Sequence, residues 1–274
     1  MPKWESAAAH HGGTSEPLLP FDATRPNIAR AYDYMLGGKD HFPPDRELAE
    51  KILAIYPAAG QMAKENRRFL RRALSYVLAQ GIIQYADLGA GLPTGPAVHE
   101  IVRRHSRRAA VVYVDNDPVV LNHLYVMAAK PDRHVAAVPG DLADPAATLA
   151  ALQTTGAIDF GASACLILAM VLHFLDAPTA RNVVSAYVSA LAPGSYVIIT
   201  VGRGDAGIGQ QVTAAYDAAP LYNHSTEDIA SFFTGLNLID PGITEARAWR
   251  PDWPDSRPFA LRAGHILAGV GKKA

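Results

Sequence analysis

The residues with the clearest chemical potential in this 274-residue chain are three acids at regular intervals, the first of them inside a glycine-rich turn. Asp87-Leu-Gly89-Ala90-Gly91 closes an apolar run, and its glycines let backbone approach a ligand closely. Asp115 closes the next apolar run, 26 residues after Gly89. That interval is somewhat longer than the roughly 20 expected between a glycine-rich turn and a ribose-binding acid. A carboxylate at this point can accept both hydroxyls of a ribose, and Asn116 beside it can reach the ribose or an adenine edge. Gly140-Asp141-Leu142 follows a third run. There an acid can accept from an adenine amino group while the leucine packs on the ring. In an open α/β sheet ligands bind beyond the carboxyl ends of the strands, so three acids at three successive ends predict a nucleoside-containing ligand.

The dinucleotide fingerprint asks for a third glycine at position 94, where this chain has Thr94. The spacing fits the acid-x-Gly-x-Gly turn that methyltransferases place around the amino-acid end of S-adenosylmethionine (SAM). A fourth run leads into Met170-Val-Leu-His173, which would pass beside the sulfonium and methyl group. Tyr32, Tyr34, Lys39, Asp40 and His41 crowd around Gly37-Gly38. The expectation is a lid, with Tyr32 or Tyr34 near the sulfonium, because aromatic faces attract cations. Arg67 or Asn66 is expected to hold the donor carboxylate. Candidate bases are His173, favoured, then Tyr34, His41, Tyr216 and His224, and transfer by proximity without a base is equally open.

These residues need elements to position them. Residues 1–22 read as a mobile leader, small and polar with Pro and Gly. Residues 23–80 read as a helical cap: Asn27–Leu36 stopped by Gly37-Gly38, Asp45–Ile55 after Pro43-Pro44, and Gln61–Ala79 stopped by Gly81. Residues 81–274 change rhythm. Apolar runs at 82–88, 110–115, 134–138, 163–168 and 195–201 alternate with helix candidates at 95–107, 117–129, 145–154 and 177–191. Continuous apolar strands alternating with helices mark a parallel sheet covered on both faces. Ser225–Asp228 opens a last helix running to about Gly235, and strands near 243–249 and 260–270 suggest a terminal antiparallel hairpin.

Composition narrows the function. A net charge of −1 argues against a nucleic-acid partner, and a small-molecule acceptor is expected. The single cysteine, Cys165, excludes a disulfide framework and a multi-cysteine metal site, and its apolar surroundings predict an inert thiol. No signal-peptide pattern follows Lys3, and the longest apolar segment is too short to span a bilayer, so a cytoplasmic location is expected.

Together these motifs resemble the class I SAM-dependent methyltransferases over roughly residues 82–270. The segments Arg25–Asp40, Asn66–Ala73, Asp87–Thr94 and Tyr113–Pro118 are similar to a narrower family of S-adenosyl methyltransferases, common in actinobacteria and long catalogued as a domain of unknown function. The resemblance implies a Rossmann-like α/β fold with a seven-stranded sheet, last strand antiparallel, and N-terminal helices over the cofactor. It implies SAM as methyl donor, S-adenosylhomocysteine (SAH) as product, and contacts at Gly89, Gly91, Asp115, Asn116, Asp141 and Leu142. It leaves the acceptor open. A SAM-binding regulatory protein without turnover and a nicotinamide-dependent oxidoreductase are the alternatives.

Overall fold

The computed structural model describes residues 19–129, 134–203, 206–215, 220–252 and 265–274. The five anticipated parallel strands are β1 (Gln84–Leu88), β2 (Ala110–Asp115), β3 (Val135–Pro139), β4 (Cys165–Ala169) and β5 (Tyr196–Arg203). With β6 (Leu236–Leu238), β7 (Thr244–Glu245) and β8 (His265–Lys273) they form one open sheet in the order β3-β2-β1-β4-β5-β8-β6, with β7 also paired to β8. β8 runs antiparallel to both β5 and β6. The order reverses between β1 and β4, so their carboxyl ends flank a crevice, the usual ligand position in such sheets.

Helices cover both faces. The three anticipated N-terminal helices are α1 (Ile28–Leu36), α2 (Pro43–Ile55) and α3 (Ala59–Ala79). Phe69, Leu74 and Val77 of α3 pack with α4 (Val98–Arg103), α5 (Pro118–Ala128) and Trp249 on one face of the sheet. The other face packs on α6 (Pro145–Thr154), α7 (Ala177–Ala190) and α9 (Thr226–Ser231). A third apolar cluster joins α1 and α2 to α8 (Ala206–Ala215), away from the sheet.

Alternation along the strands decides which residues share a face. Tyr85, Val111, Cys165 and Tyr196 belong to the α3 side. Two-residue steps along the same strands bring Asp87, Asp115, Ala169 and Thr200 to that side, at the carboxyl ends.

Four expectations need correction. The helix after the glycine-rich turn begins at Val98, not near Thr94, because Glu100 caps it at Ala97 N–H (3.0 Å). The last helix ends at Ser231, and Leu236–Leu238 is a short strand paired to β8. The terminal hairpin is reduced to the two-residue β7 against β8. There Arg72 donates to the carbonyls of Ala246 (2.6 Å) and Trp249 (2.9 Å), drawing this segment onto α3. Residues 19–22, placed in the anticipated leader, are partly held by the sheet domain. Leu19 exchanges backbone hydrogen bonds with the Asn122 amide (2.7 and 2.9 Å), whereas residues 1–18 lie outside the described residues.

Candidate active site

A cavity of about 510 Å³ sits at the crevice between β1 and β4 and runs beneath the N-terminal helices. That volume lies within the roughly 300–1,000 Å³ of small-molecule and cofactor sites. Its lining unites Asp87, Gly89, Ala90, Gly91, Asp115, Asn116, Gly140, Asp141, Leu142, Met170 and His173 from the sheet side with Tyr32 and Arg67 from the helices. Thr94 and Tyr34 are not in the lining.

The glycine-rich turn folds back on the second strand. Gly89 has φ +69°, and a Cβ there would stand 2.6 Å from Val171 Cγ1, so the position excludes any side chain. Its N–H and that of Ala90 both donate to Val114 O (2.8 and 3.0 Å). The Gly91 N–H donates to Asp115 Oδ2 (2.9 Å). Three successive turn amides are therefore engaged, and α4 starts seven residues beyond Gly91. The turn therefore offers no free helix-end cradle for a pyrophosphate.

Asp115 also accepts from Asp117 N–H through Oδ1 (3.0 Å), and the Asn116 N–H lies close enough to add to these backbone donors. Burial raises its pKa, against these hydrogen bonds. Asp87 is 5% exposed, and burial pushes its carboxyl up to about 7, with Arg67 opposing the rise and Asp115 adding to it. Asn116 and Asp141 are exposed at the rim of the same cavity, Asp141 bent into a loop by the Ala143 N–H (2.9 Å).

Helix α3 brings Asn66 and Arg67 to the sheet's carboxyl ends. Asn66 accepts from Thr200 Oγ1 (2.8 Å) and donates to the Tyr32 hydroxyl (3.1 Å), which donates to Ala63 O (3.3 Å). Thr200 in turn accepts from Met170 N–H (3.0 Å) and holds that residue at φ +59°, an unusual backbone state for a non-glycine residue. Asn66 is thus committed to positioning. Arg67 is not: one guanidinium nitrogen donates to Leu92 O (3.3 Å), its buried Nε has no partner among the described residues, and its guanidinium lies 6.0 Å from the Tyr32 ring centre.

The Gly37-Gly38 cluster has a structural explanation. Asn27 caps α1, and Gly37 ends it at φ +81°. Asp33, 1% exposed, accepts from Asp40 N–H (2.9 Å), pairs with His41 Nδ1 (3.0 Å), and accepts from the Thr94 hydroxyl. A Cβ on Gly38 would collide with the Asp33 carboxylate at 1.9 Å, so only glycine fits. Tyr34 stacks edge-on against His41 and donates to Glu50 (3.2 Å). Tyr34 and His41 therefore brace the loop outside the cavity, and Thr94 ties that loop to the glycine-rich turn.

His173 follows β4 in a short 3₁₀ turn, and its buried Nδ1 has no partner among the described residues. Burial lowers its pKa to about 4, with His224 adding to the effect, so the ring is neutral at pH 7. His224 is spent on packing: it is buried, with Nε2 on Leu172 O (3.0 Å). Tyr216 lies outside the described residues. A histidine held neutral in the fold contributes stability above its free pKa of 6.5 that is lost as pH falls towards about 4. Replacing His173 by glutamine should flatten the fall in unfolding free energy across that window, measured by urea titration at each pH. An unchanged slope would place the titration elsewhere.

Cys165 is fully buried, and burial pushes its thiol well above the ordinary range, as an inert core residue requires. Among the described residues no cluster of His, Cys, Asp and Glu is arranged to hold a metal, and no helix is long and apolar enough to cross a membrane.

Two signals escaped the sequence reading. Asn27, expected only as the start of a helix, also donates to Asp117 (2.7 Å), locking the helical cap to the start of α5 beside the cavity. Val212 of α8 and Leu221, neither of them a sequence candidate, complete the lining.

A family model described as S-adenosyl methyltransferase matches residues 15–274. A crystal structure of a candidate methyltransferase from Thermobifida fusca is 36% identical, with a TM-score of 0.83 over 92% of this chain and 96% of that one. A protein of the DUF574 family from Streptomyces avermitilis is 31% identical, with a TM-score of 0.82 over 92% and 99%. The N-methyltransferase NodS from Bradyrhizobium japonicum, solved with SAH, shares the fold alone at 13% identity and a TM-score of 0.50 over 90% and 99%. No curated protein matches the sequence. The family sets aside the nicotinamide reading, in keeping with the engaged turn amides. This chain belongs to the S-adenosyl methyltransferase family and is a class I enzyme whose methyl donor is SAM.

Proposed function

We propose that this enzyme methylates a small-molecule acceptor enclosed between the sheet's carboxyl edge and a lid formed by residues 23–80. The supporting observation is the single cavity lining shared by the Asp87, Asp115 and Asp141 turns and the inner faces of α1 and α3.

In this reading Asp115 takes the ribose hydroxyls, Asn116 and Asp141 the adenine edge, and Leu142 the ring face, with Gly140 letting the base approach. Gly89, Ala90 and Gly91 flank the amino-acid end of the donor. Asp87 faces its ammonium, and the unpartnered Arg67 Nε faces its carboxylate. Met170 and the Tyr32 ring border the sulfonium. When bound, SAM supplies a methyl group already activated for in-line displacement. The protein therefore needs to orient the two reactants and exclude water. His173 is neutral, and its buried Nδ1 has no partner among the described residues, so in the tautomer protonated on Nε2 it can accept a proton from an acceptor that reaches it.

Thermal-shift measurements test the site directly. SAM and SAH should each raise the melting temperature, and NAD and NADP should leave it unchanged. Stabilisation by NAD without SAH would reverse the assignment.

Asp87 gives the site a pH dependence. The cationic donor favours the ionised carboxylate, so affinity should be greatest above pH 7. It should weaken as pH falls through about 7, the value to which burial lifts the carboxyl. The slope should approach about tenfold per pH unit. Calorimetric SAH titrations from pH 8 to 5.5 should show this fall, and the Asp87→Asn variant should bind weakly with a flat profile. A wild-type profile equally flat would remove Asp87 from the donor contacts.

A further inference from the structure

The cavity is larger than its polar end. Its charged lining residues among the described ones, Arg67, Asp87, Asp115, Asp117 and Asp141, all belong to α3 or to the carboxyl ends of β1, β2 and β3 and the turns that follow them. The opposite wall is Ile28 and Met35 of α1, Ile52 of α2, Phe174, Val212 of α8 and Leu221. Five of these six belong to the apolar cluster of α1, α2 and α8, where Ala31, Leu48 and Ala49 stand behind them. The wall is therefore a packed, preformed surface rather than a loose collection of side chains. The buried ion pair of Arg30 with Asp45 (3.0 Å) fixes α1 against α2 behind the same wall, without presenting a charge to the cavity.

We infer that the methyl acceptor is an uncharged, predominantly apolar or aromatic small molecule that seats against this wall, with one protic group directed at His173. The inference rests on the donor occupying the acidic end. With the donor there, every charged lining group faces the donor or, for Asp117, is taken by the α5 cap and Asn27. An ammonium or carboxylate acceptor would lose its hydration without gaining a counter-charge, a cost that excludes it from such a chamber. A neutral ring gains from burial against Ile, Met, Val and Leu side chains. His173 lines the chamber on this side, and its buried Nδ1 has no partner among the described residues, which suits a single hydroxyl or neutral N–H that reaches it.

The test compares three ligands with one skeleton on the full chain saturated with SAH: 2-naphthol, 2-naphthoate and (2-naphthyl)methylammonium, each titrated by calorimetry. SAH binding is measured first, and its absence would overturn the donor site itself. With SAH bound, 2-naphthol should bind at least about tenfold more tightly than either ion. An ion binding equally well, or no measurable naphthol binding, would overturn the inference alone. The Met35→Glu variant supplies a second reading, since it places a carboxylate in the wall at a partly exposed position. Its SAH affinity should stay at the wild-type level, while naphthol weakens and the ammonium ligand gains about tenfold. Unaltered preference among the three ligands would place the acceptor elsewhere.

Discussion

Replacing Asp115 by alanine is expected to lower SAH affinity by about a hundredfold or more. The carboxylate sits at the end of β2 and accepts from Gly91 and Asp117 N–H, so it fixes the glycine-rich turn as well as facing the proposed ribose position. Two hydrogen bonds to a charged acceptor contribute roughly 1.5–3 kcal/mol each, so losing the pair with the ribose accounts for about 3 kcal/mol or more. That corresponds to about a hundredfold in dissociation constant. The Asp115→Asn variant separates the two roles. Its amide oxygen can keep the Gly91 contact, so turn geometry should survive while one of the two acceptors is lost. Calorimetric titration with SAH measures both variants. Affinity within threefold of wild type for the alanine variant would reduce Asp115 to a local brace.

The second large effect lies outside the cavity. Asp33→Ala should destabilise the protein by about 3 kcal/mol, because it strands the Asp40 N–H, His41 Nδ1 and the Thr94 hydroxyl, all partly buried. For a chain of this size that is on the order of 10 °C in melting temperature. Thr94→Val removes one of the three donors and should cost only about 1 kcal/mol. Because Thr94 joins the loop after α1 to the glycine-rich turn, the Asp33 variant should also weaken SAH binding. Urea unfolding and SAH titration read the two effects. Wild-type stability in Asp33→Ala would show that the helical cap is held by its apolar contacts alone.

The parallel strands were legible because a strand buried on both faces has no reason to alternate. Ala110–Asp115 is buried at every position and reads as a single apolar run. The helices α1 to α3 were legible from Asn27, Pro43 and the glycines at 37 and 81, which start and stop helices by local backbone preference. The elements that escaped are those whose state depends on a partner. β6 is three residues long with two of them exposed, and only pairing with β8 makes it a strand. α8 has two glycines in ten residues, and its place comes from packing its apolar side chains with α1 and α2. The 243–249 segment has strand-like composition, yet Arg72 and the burial of Trp249 turn most of it away from the sheet.

The cavity divides in the same way. The convergence of Asp87, Asp115 and Asp141 was legible because each lies at or just beyond the end of a strand, and strand ends in a parallel sheet converge by topology. The roles of Tyr34, His41 and Thr94 could not. Residue type made them candidates for chemistry, and only their partners, Glu50 and Asp33, assign them to bracing.

By itself the sequence determined the alternating strands and helices, through periodicity, and the acids at the strand ends, while the resemblance of its motifs pointed to the family and the methyl donor. The tertiary structure alone decided which polar side chains remain free. Tyr34, Thr94 and Asn66 are consumed by neighbours 16 to 134 residues away, while the buried Arg67 Nε and His173 Nδ1 have no partner among the described residues. It also decided the character of the acceptor wall, because helices α1, α2 and α8 meet only when the chain is folded. Hydrogen-bond satisfaction and apolar contact between distant segments have no period in the sequence, which is why neither could be read from it.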